Sequence, residues 1–125
     1  MEGYSATIKE SSFELSAKQR VAFKDTTNAI KIEELIKNDN HFVTDVAGYA
    51  VLGIHNEQSE NKDYEVYVIV AKDGTRYVTG SSAFFTAFID IWKELKDETE
   101  EWAIEIYGKE SKNYKGKQFI TCSVV

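Results

Sequence analysis

Gly80-Ser-Ser-Ala-Phe-Phe-Thr-Ala-Phe-Ile-Asp-Ile-Trp-Lys-Glu-Leu95 is the long stretch of this chain whose apolar residues recur at helical spacing. Phe84, Phe88, Ile91, Trp92 and Leu95 fall on one face, and Phe85 and Ile89 widen it, so the predicted helix needs broad cover. Ser81 and Ser82 offer side-chain oxygens to the open amides of the first turn, and Gly80 lets an extended segment swing into it. Lys93 and Lys96 suit the negative end of the helix dipole.

Strand-like segments flank this helix on both sides. Before it, His41 to Ile54 is a β-favouring run interrupted by Gly48 and Gly53, the pattern of a bulge or a bend where one strand serves two sheets. His55 to Asp63 is polar and reads as a loop. Tyr64 to Ala71 reads as a strand, with Tyr64, Val66, Val68 and Val70 on one face and Glu65, Tyr67, Ile69 and Ala71 on the other. Lys72-Asp-Gly-Thr75 carries the Asp-Gly hairpin signal, and Arg76 to Thr79 returns as its partner. After the helix, Trp102, Ile104 and Ile106 alternate with Ala103, Glu105 and Tyr107, and Lys117 to Val125 supplies a last strand. Strand, strand, tight turn, strand, helix, strand, strand is the connectivity of a five-stranded OB-fold barrel whose helix plugs one end. The expected class is therefore β-rich, all-β with one plug helix. Residues 26–125 form the OB-fold domain and residues 1–25 an N-terminal extension, in which Tyr4 to Ile8 allows a strand and Ser16 to Lys24 either a basic strand or a helical turn. Ala29 to Asn38 suits a short helix.

A length of 125 residues with 42% hydrophobic content and seven each of Tyr and Phe is ample for a core without staples. The single Cys122 excludes an internal disulfide and fits a reducing compartment. Neither a signal-peptide pattern nor a span of about 20 apolar residues is present, so a cytoplasmic protein is expected. Net charge is −6, but it is polarised: Asp97, Glu98, Glu100, Glu101 and Glu105 crowd one region, and Lys109, Lys112, Lys115 and Lys117 the next.

Catalytic patterns are thin. His41 and His55 are the two imidazoles, no Gly-x-Ser-x-Gly elbow occurs, and Gly116-Lys117 is followed by Gln118 where a phosphate loop needs Ser or Thr. No catalytic residue, metal or cofactor is expected. The stronger constellation is Tyr107-Gly-Lys-Glu-Ser-Lys-Asn-Tyr114-Lys-Gly-Lys117, which interleaves two tyrosines with four lysines. Single-stranded nucleic acid is held in this way, cations following phosphates and ring faces stacking on bases, each stack contributing about 1–3 kcal/mol. In an OB barrel the second and third strands with their flanking loops form the binding face, which makes Tyr67, Lys72, Arg76, Tyr77, Lys109, Lys112, Tyr114, Lys115 and Lys117 the candidate site. Two readings stay open: the lysine loop as a solvated hairpin, and Tyr67, Tyr77 and Tyr114 as structural supports.

Lys24-Asp-Thr-Thr-Asn-Ala-Ile30, Ile54-His-Asn-Glu57, Tyr77-Val-Thr-Gly-Ser-Ser-Ala-Phe-Phe85 and the run from Tyr107 to Cys122 together resemble small single-stranded DNA-binding proteins of phages that infect Gram-positive bacteria. The resemblance covers the chain from about residue 20 onward. It implies an OB-type fold, sequence-tolerant binding of single-stranded DNA in phage DNA replication or recombination, homo-oligomers in the host cytoplasm, and phage or host replication proteins as further partners. The alternative is a phage protein-interaction module that binds a host protein through the acidic surface around residues 97–101.

Overall fold

A computed structural model describes residues 3–14, 16–24, 29–39, 41–58, 60, 62–110 and 118–125. Among these are β1 (Tyr4–Ser11), α1 (Ala17–Lys24), β2 (Ile30–Lys31), α2 (Ile32–Asp39), β3 (His41–Asp45), β4 (Gly48–Asn56), β5 (Asp63–Val70), β6 (Arg76–Thr79), α3 (Ser82–Leu95), β7 (Ala103–Glu110) and β8 (Gln118–Val124). The β-rich class is as expected. The closed five-stranded barrel is not: the strands form a five-stranded sheet in the order β1-β4-β5-β6-β2 and a three-stranded sheet in the order β3-β7-β8. The reason lies in the run from His41. It breaks after Asp45, so that β3 pairs with β7 while β4 pairs with β5. The free edge of β4 is then taken by β1, a strand from the segment expected to stand outside the barrel. The chain divides into two compact units, Met1–Ile30 with Ala47–Gly80 and Lys31–Val46 with Ser81–Val125.

In the first unit β4 is apolar and buried along most of its length, as a strand covered on both faces must be. Ala50, Leu52 and Ile54 pack with Val68 and Val78, and Tyr64, Val66 and Val70 join the same cluster. Tyr49, Val51, Tyr67 and Ile69 are buried on the opposite face. A fully buried Leu52 or Ile69 contributes about 1.5–3 kcal/mol over its exposed state. The bend expected at Gly48 is present, for β4 begins there; Gly53 lies within an unbroken strand opposite Thr7, and the irregularity is in β1, between Ile8 and Glu10, opposite Leu52 and Val51. The expected 55–63 loop is shorter, since His55 and Asn56 extend β4 and Asp63 opens β5.

The Asp-Gly turn joins β5 to β6. The Ala71 amide donates to the Thr75 carbonyl at 2.9 Å and the Gly74 amide to the Ala71 carbonyl at 2.9 Å. Gly74 has φ 90°, the left-handed conformation that closes a three-residue hairpin loop. Asp73 accepts the Thr75 amide at 2.9 Å, and this bond holds its carboxyl below the usual range.

The open choice at Ser16–Lys24 resolves as helix. The Gln19 amide donates to Ser16 Oγ at 3.2 Å and the Ser16 amide to Gln19 Oε1 at 2.9 Å, a reciprocal capping box.

In the second unit α3 starts as expected, with Ser81 Oγ accepting the Phe84 amide at 3.1 Å. Phe84 and Phe88 are fully buried, and their rings continue through Trp92 to Trp102 with centroids 6.0, 6.2 and 6.3 Å apart. The helix packs on β8 of an open three-stranded sheet rather than stoppering a barrel, and α2 packs on β3 and β7. Ile104, Ile106, Cys122 and Thr44 are the buried row of that sheet. Burial pushes the Cys122 thiol up to about 12, so the thiol stays protonated and inert at neutral pH.

Gly48 has no room for a side chain: a Cβ there would overlap the Phe13 ring and Ser12 Oγ. Ser12 Oγ accepts the Tyr49 amide at 2.8 Å, which fixes that approach. Gly48→Ala should destabilise the protein by about 1–3 kcal/mol in urea melts, while Gly80→Ala, which meets nothing within 4 Å, leaves the midpoint unchanged.

Candidate nucleic-acid interface

Four expected site residues lie on the β5–β6 hairpin of the first unit. Lys72 is exposed in the turn, and Arg76 and Tyr77 are half-buried at the start of β6. Tyr67 is 8% exposed. It shares a face with its register partners Val51 and Thr79, both buried, so its ring is used in packing. Burial, then the neighbouring Glu65 carboxylate, raise its phenol above the ordinary value. Arg76 Nη1 donates to the Ala22 carbonyl at 2.7 Å, which ties the last turn of α1 to the hairpin. One such bond uses one of five guanidinium donors. Lys109 is exposed near the end of β7, in the second unit. Lys112, Tyr114, Lys115 and Lys117 lie outside the described residues.

Two groups were not anticipated. The first is α1, whose Lys18, Arg20 and Lys24 are exposed and which carries no acid in its eight residues. The capping pair Ser16 and Gln19 was the sequence signal for it. The second is the outer row of the three-stranded sheet, in which Lys109 and Tyr107 were singled out by sequence but their neighbours on β3 and β8 were not. Pairing places Lys109 opposite Phe119, Tyr107 between His41 and Thr121, and Glu105 between Val43 and Ser123. Phe119 is 37% exposed, and the half-buried Tyr107 shares a 2.9 Å hydroxyl bond with Ser123. Alternation in the sequence separates the two faces of each strand, but only the register shows which residues stand side by side.

A shallow concavity of about 490 Å³ lies elsewhere, on the polar end of the first sheet, with Ser5, Thr7, Lys9, His55, Asp63 and Glu65 among its lining. Its charges are already matched. His55 Nδ1 meets Asp63 at 2.7 Å and Nε2 meets Glu57 at 2.7 Å, Lys62 reaches Glu57 at 3.2 Å, and Lys9 lies 3.9 Å from Glu65. Its two lining carboxylates, Asp63 and Glu65, already engage His55 and Lys9, so the concavity presents no surplus of positive charge to phosphate and is a poor nucleic-acid track. Among the described residues no group of three or more His, Cys, Asp or Glu is placed to hold a metal ion.

A β-rich protein that lays lysines and aromatic rings on strand surfaces has the make-up of a single-strand nucleic-acid binder. The family model described as Phage Single-stranded DNA-binding protein matches residues 5–125, and the chain belongs to that family. Over 86 residues it is also 30% identical to Translation machinery-associated protein 22 of Aspergillus oryzae and of Aspergillus niger. Those alignments cover 65% of this chain but 39% and 38% of the fungal proteins, so the chain spans about two-fifths of the curated relatives it matches. No solved structure matches.

The His55 bridge gives a pH dependence of known sign. Bonds to Asp63, then Glu57, favour the charged imidazole and raise its pKa. The bridge therefore stabilises fully below the unfolded value of about 6.5 and fades as pH rises through the higher folded value. Thermal melts should show a midpoint gap between the unsubstituted protein and His55→Gln that is widest near pH 6 and narrows toward pH 9. A gap that is constant across this range would show that the charged bridge does not contribute.

Proposed function

We propose that the protein binds single-stranded DNA with little sequence preference during phage DNA replication or recombination, as a homo-oligomer in the host cytoplasm. The observation that carries this reading is the family match across nearly the whole chain, residues 5–125. The β5–β6 hairpin supports it, because it offers Lys72 at its tip and a half-buried Tyr77 on the adjoining strand. Stacking is assigned to Tyr77 and Tyr114, and phosphate contact to Lys72, Arg76, Lys109, Lys112, Lys115 and Lys117. Tyr67, being buried, acts behind them as support.

The finer architectural reading is an OB-type domain over residues 26–125. It is supported by the run from His41 that feeds β3 into one sheet and β4 into the other, and by a helix placed between β6 and β7. The acidic residues from Asp97 to Glu101 form an exposed turn after α3, with the Glu98 amide donating to the Leu95 carbonyl at 3.0 Å. That is the ordinary solvated end of a helix, and it lends no weight to an acidic surface that binds a host protein.

Titration of labelled oligo-dT over a range of salt tests the reading. With about four phosphates engaged, the slope of log affinity against log salt should be about −3, at roughly −0.7 per phosphate. Lys72→Ala should make the slope shallower by about 0.7. No binding at low salt, or an affinity indifferent to salt, would overturn the proposal. Because the fungal relatives are named for the translation machinery, oligo-rU run in parallel shows whether ribose is accepted.

A further inference from the structure

We infer that the outer face of the β3-β7-β8 sheet is a base-stacking platform for single-stranded DNA, with Phe119 and Tyr107 as its rings and Lys109 as its phosphate contact; this rests on the function proposed above. Residues 41, 43, 105, 107, 109, 119, 121 and 123 share one face by register. The opposite face holds Ile104, Ile106 and Cys122, all buried. The sheet therefore has one apolar row committed to the protein and a second that faces outward.

That outward row is largely polar, as a solvated sheet face is, but two large apolar side chains interrupt it. Val43 is 54% and Phe119 37% exposed, so two large apolar side chains stand in water on the same small surface. Directly paired side chains in a sheet lie about 4.5–5.5 Å apart and diagonal ones about 7–8 Å. Lys109 is the direct partner of Phe119, and Tyr107 is the diagonal neighbour. An ammonium group thus stands beside one ring while a second ring lies on the same face. This is the combination that holds a single strand, in which every base has a stackable face and every nucleotide a charge.

Charge also sets direction on the face. Glu105, two residues from Tyr107, would repel phosphate, and its carboxylate is turned to His41 Nδ1 at 3.1 Å, toward β3 and away from Phe119. The strand is accommodated at the Lys109 end, with bases on Phe119 and Tyr107 and the backbone toward Lys109. A protein partner or a second copy of the chain would use the apolar atoms but would not need the ring faces, and that difference decides the test.

Affinities for oligo-dT and for an abasic oligomer of the same length separate stacking from charge. Phe119→Leu keeps an apolar side chain and removes the ring. It should weaken oligo-dT binding about 5- to 160-fold, the range for one lost stack, and leave the abasic oligomer unaffected. Lys109→Ala should weaken both equally and make the salt slope shallower by about 0.7. An oligomer carrying 5-iododeoxyuridine, irradiated with the unsubstituted protein, should cross-link to Tyr107 or Phe119. An unchanged ratio of oligo-dT to abasic affinity in Phe119→Leu overturns the platform, as do cross-links that miss both rings or a variant that alters only the oligomeric state. If the unsubstituted protein binds neither oligomer, the proposed function fails together with the platform. If it binds both and only the Phe119 result is negative, the function stands and this face alone is excluded.

Discussion

The run from His41 to Asn56 has to pair in two sheets, and the arrangement of the other strands follows from that demand. A single straight strand has two edges. By breaking after Asp45, this run gives β3 to β7 and offers both edges of β4, to β1 and to β5. The restart is held tightly, since the Ala47 amide donates to the Val70 carbonyl at 2.7 Å and Gly48 admits the Phe13 ring and Ser12 where a side chain would exclude them. Glycine is needed here for close approach rather than for an unusual backbone angle. β4 is then buried on both faces along most of its length, and β5 beside it is buried at Tyr67, Val68 and Ile69.

This two-sided burial separates what the sequence shows from what it does not. Elements set by neighbouring residues were legible: α3 from its apolar spacing and Ser81, and the hairpin from Asp73-Gly74. The helix at α1 was equally local, but its cue is a polar capping pair rather than an apolar stripe, and its apolar content is too low for periodicity to reveal it. Tyr67 is different in kind. Alternation places it with Glu65 and Ile69, a face that reads as half-exposed, and only tertiary cover decides that Glu65 lies at the rim while Tyr67 and Ile69 are buried. The pairing of Lys109 with Phe119 depends on the β7–β8 register, which alternation leaves open by any even number of residues. The expected barrel failed for a related reason: closure is a statement about which edges meet, and edge partners are not written in any one segment.

Net charge is likewise less informative than placement. A total of −6 would repel a polyanion if it were spread evenly, but exposed charges are screened beyond about 8 Å at physiological ionic strength. In the first unit Glu57, Asp63 and Glu65 are each engaged by His55, Lys62 or Lys9, whereas Lys18, Arg20 and Lys24 sit on a helix without acids. Part of the acid is thus held in ion pairs and part in the turn at 97–101, while the α1 cations stand where no carboxylate precedes or follows them within the helix.

The aromatic residues divide along the same line, and the division bears on how a single strand can be held. Phe84, Phe88, Trp92 and Trp102 form a run of neighbouring rings inside the second unit, and Ile104, Ile106 and Cys122 line the buried row of its sheet. Rings committed in this way contribute burial and pair contacts of about 0.5–1.5 kcal/mol each beyond it. They also fix the strands on which the outward rings stand. A ring on a loose loop has to be ordered when a base arrives, at about 0.5–1.5 kcal/mol per immobilised side chain. Tyr107 is spared much of that cost, because its strand is paired on both edges and its hydroxyl is bonded to Ser123. On the proposed platform the interior rings would serve binding indirectly, by holding in advance the surface on which a base would otherwise have to organise its own partner.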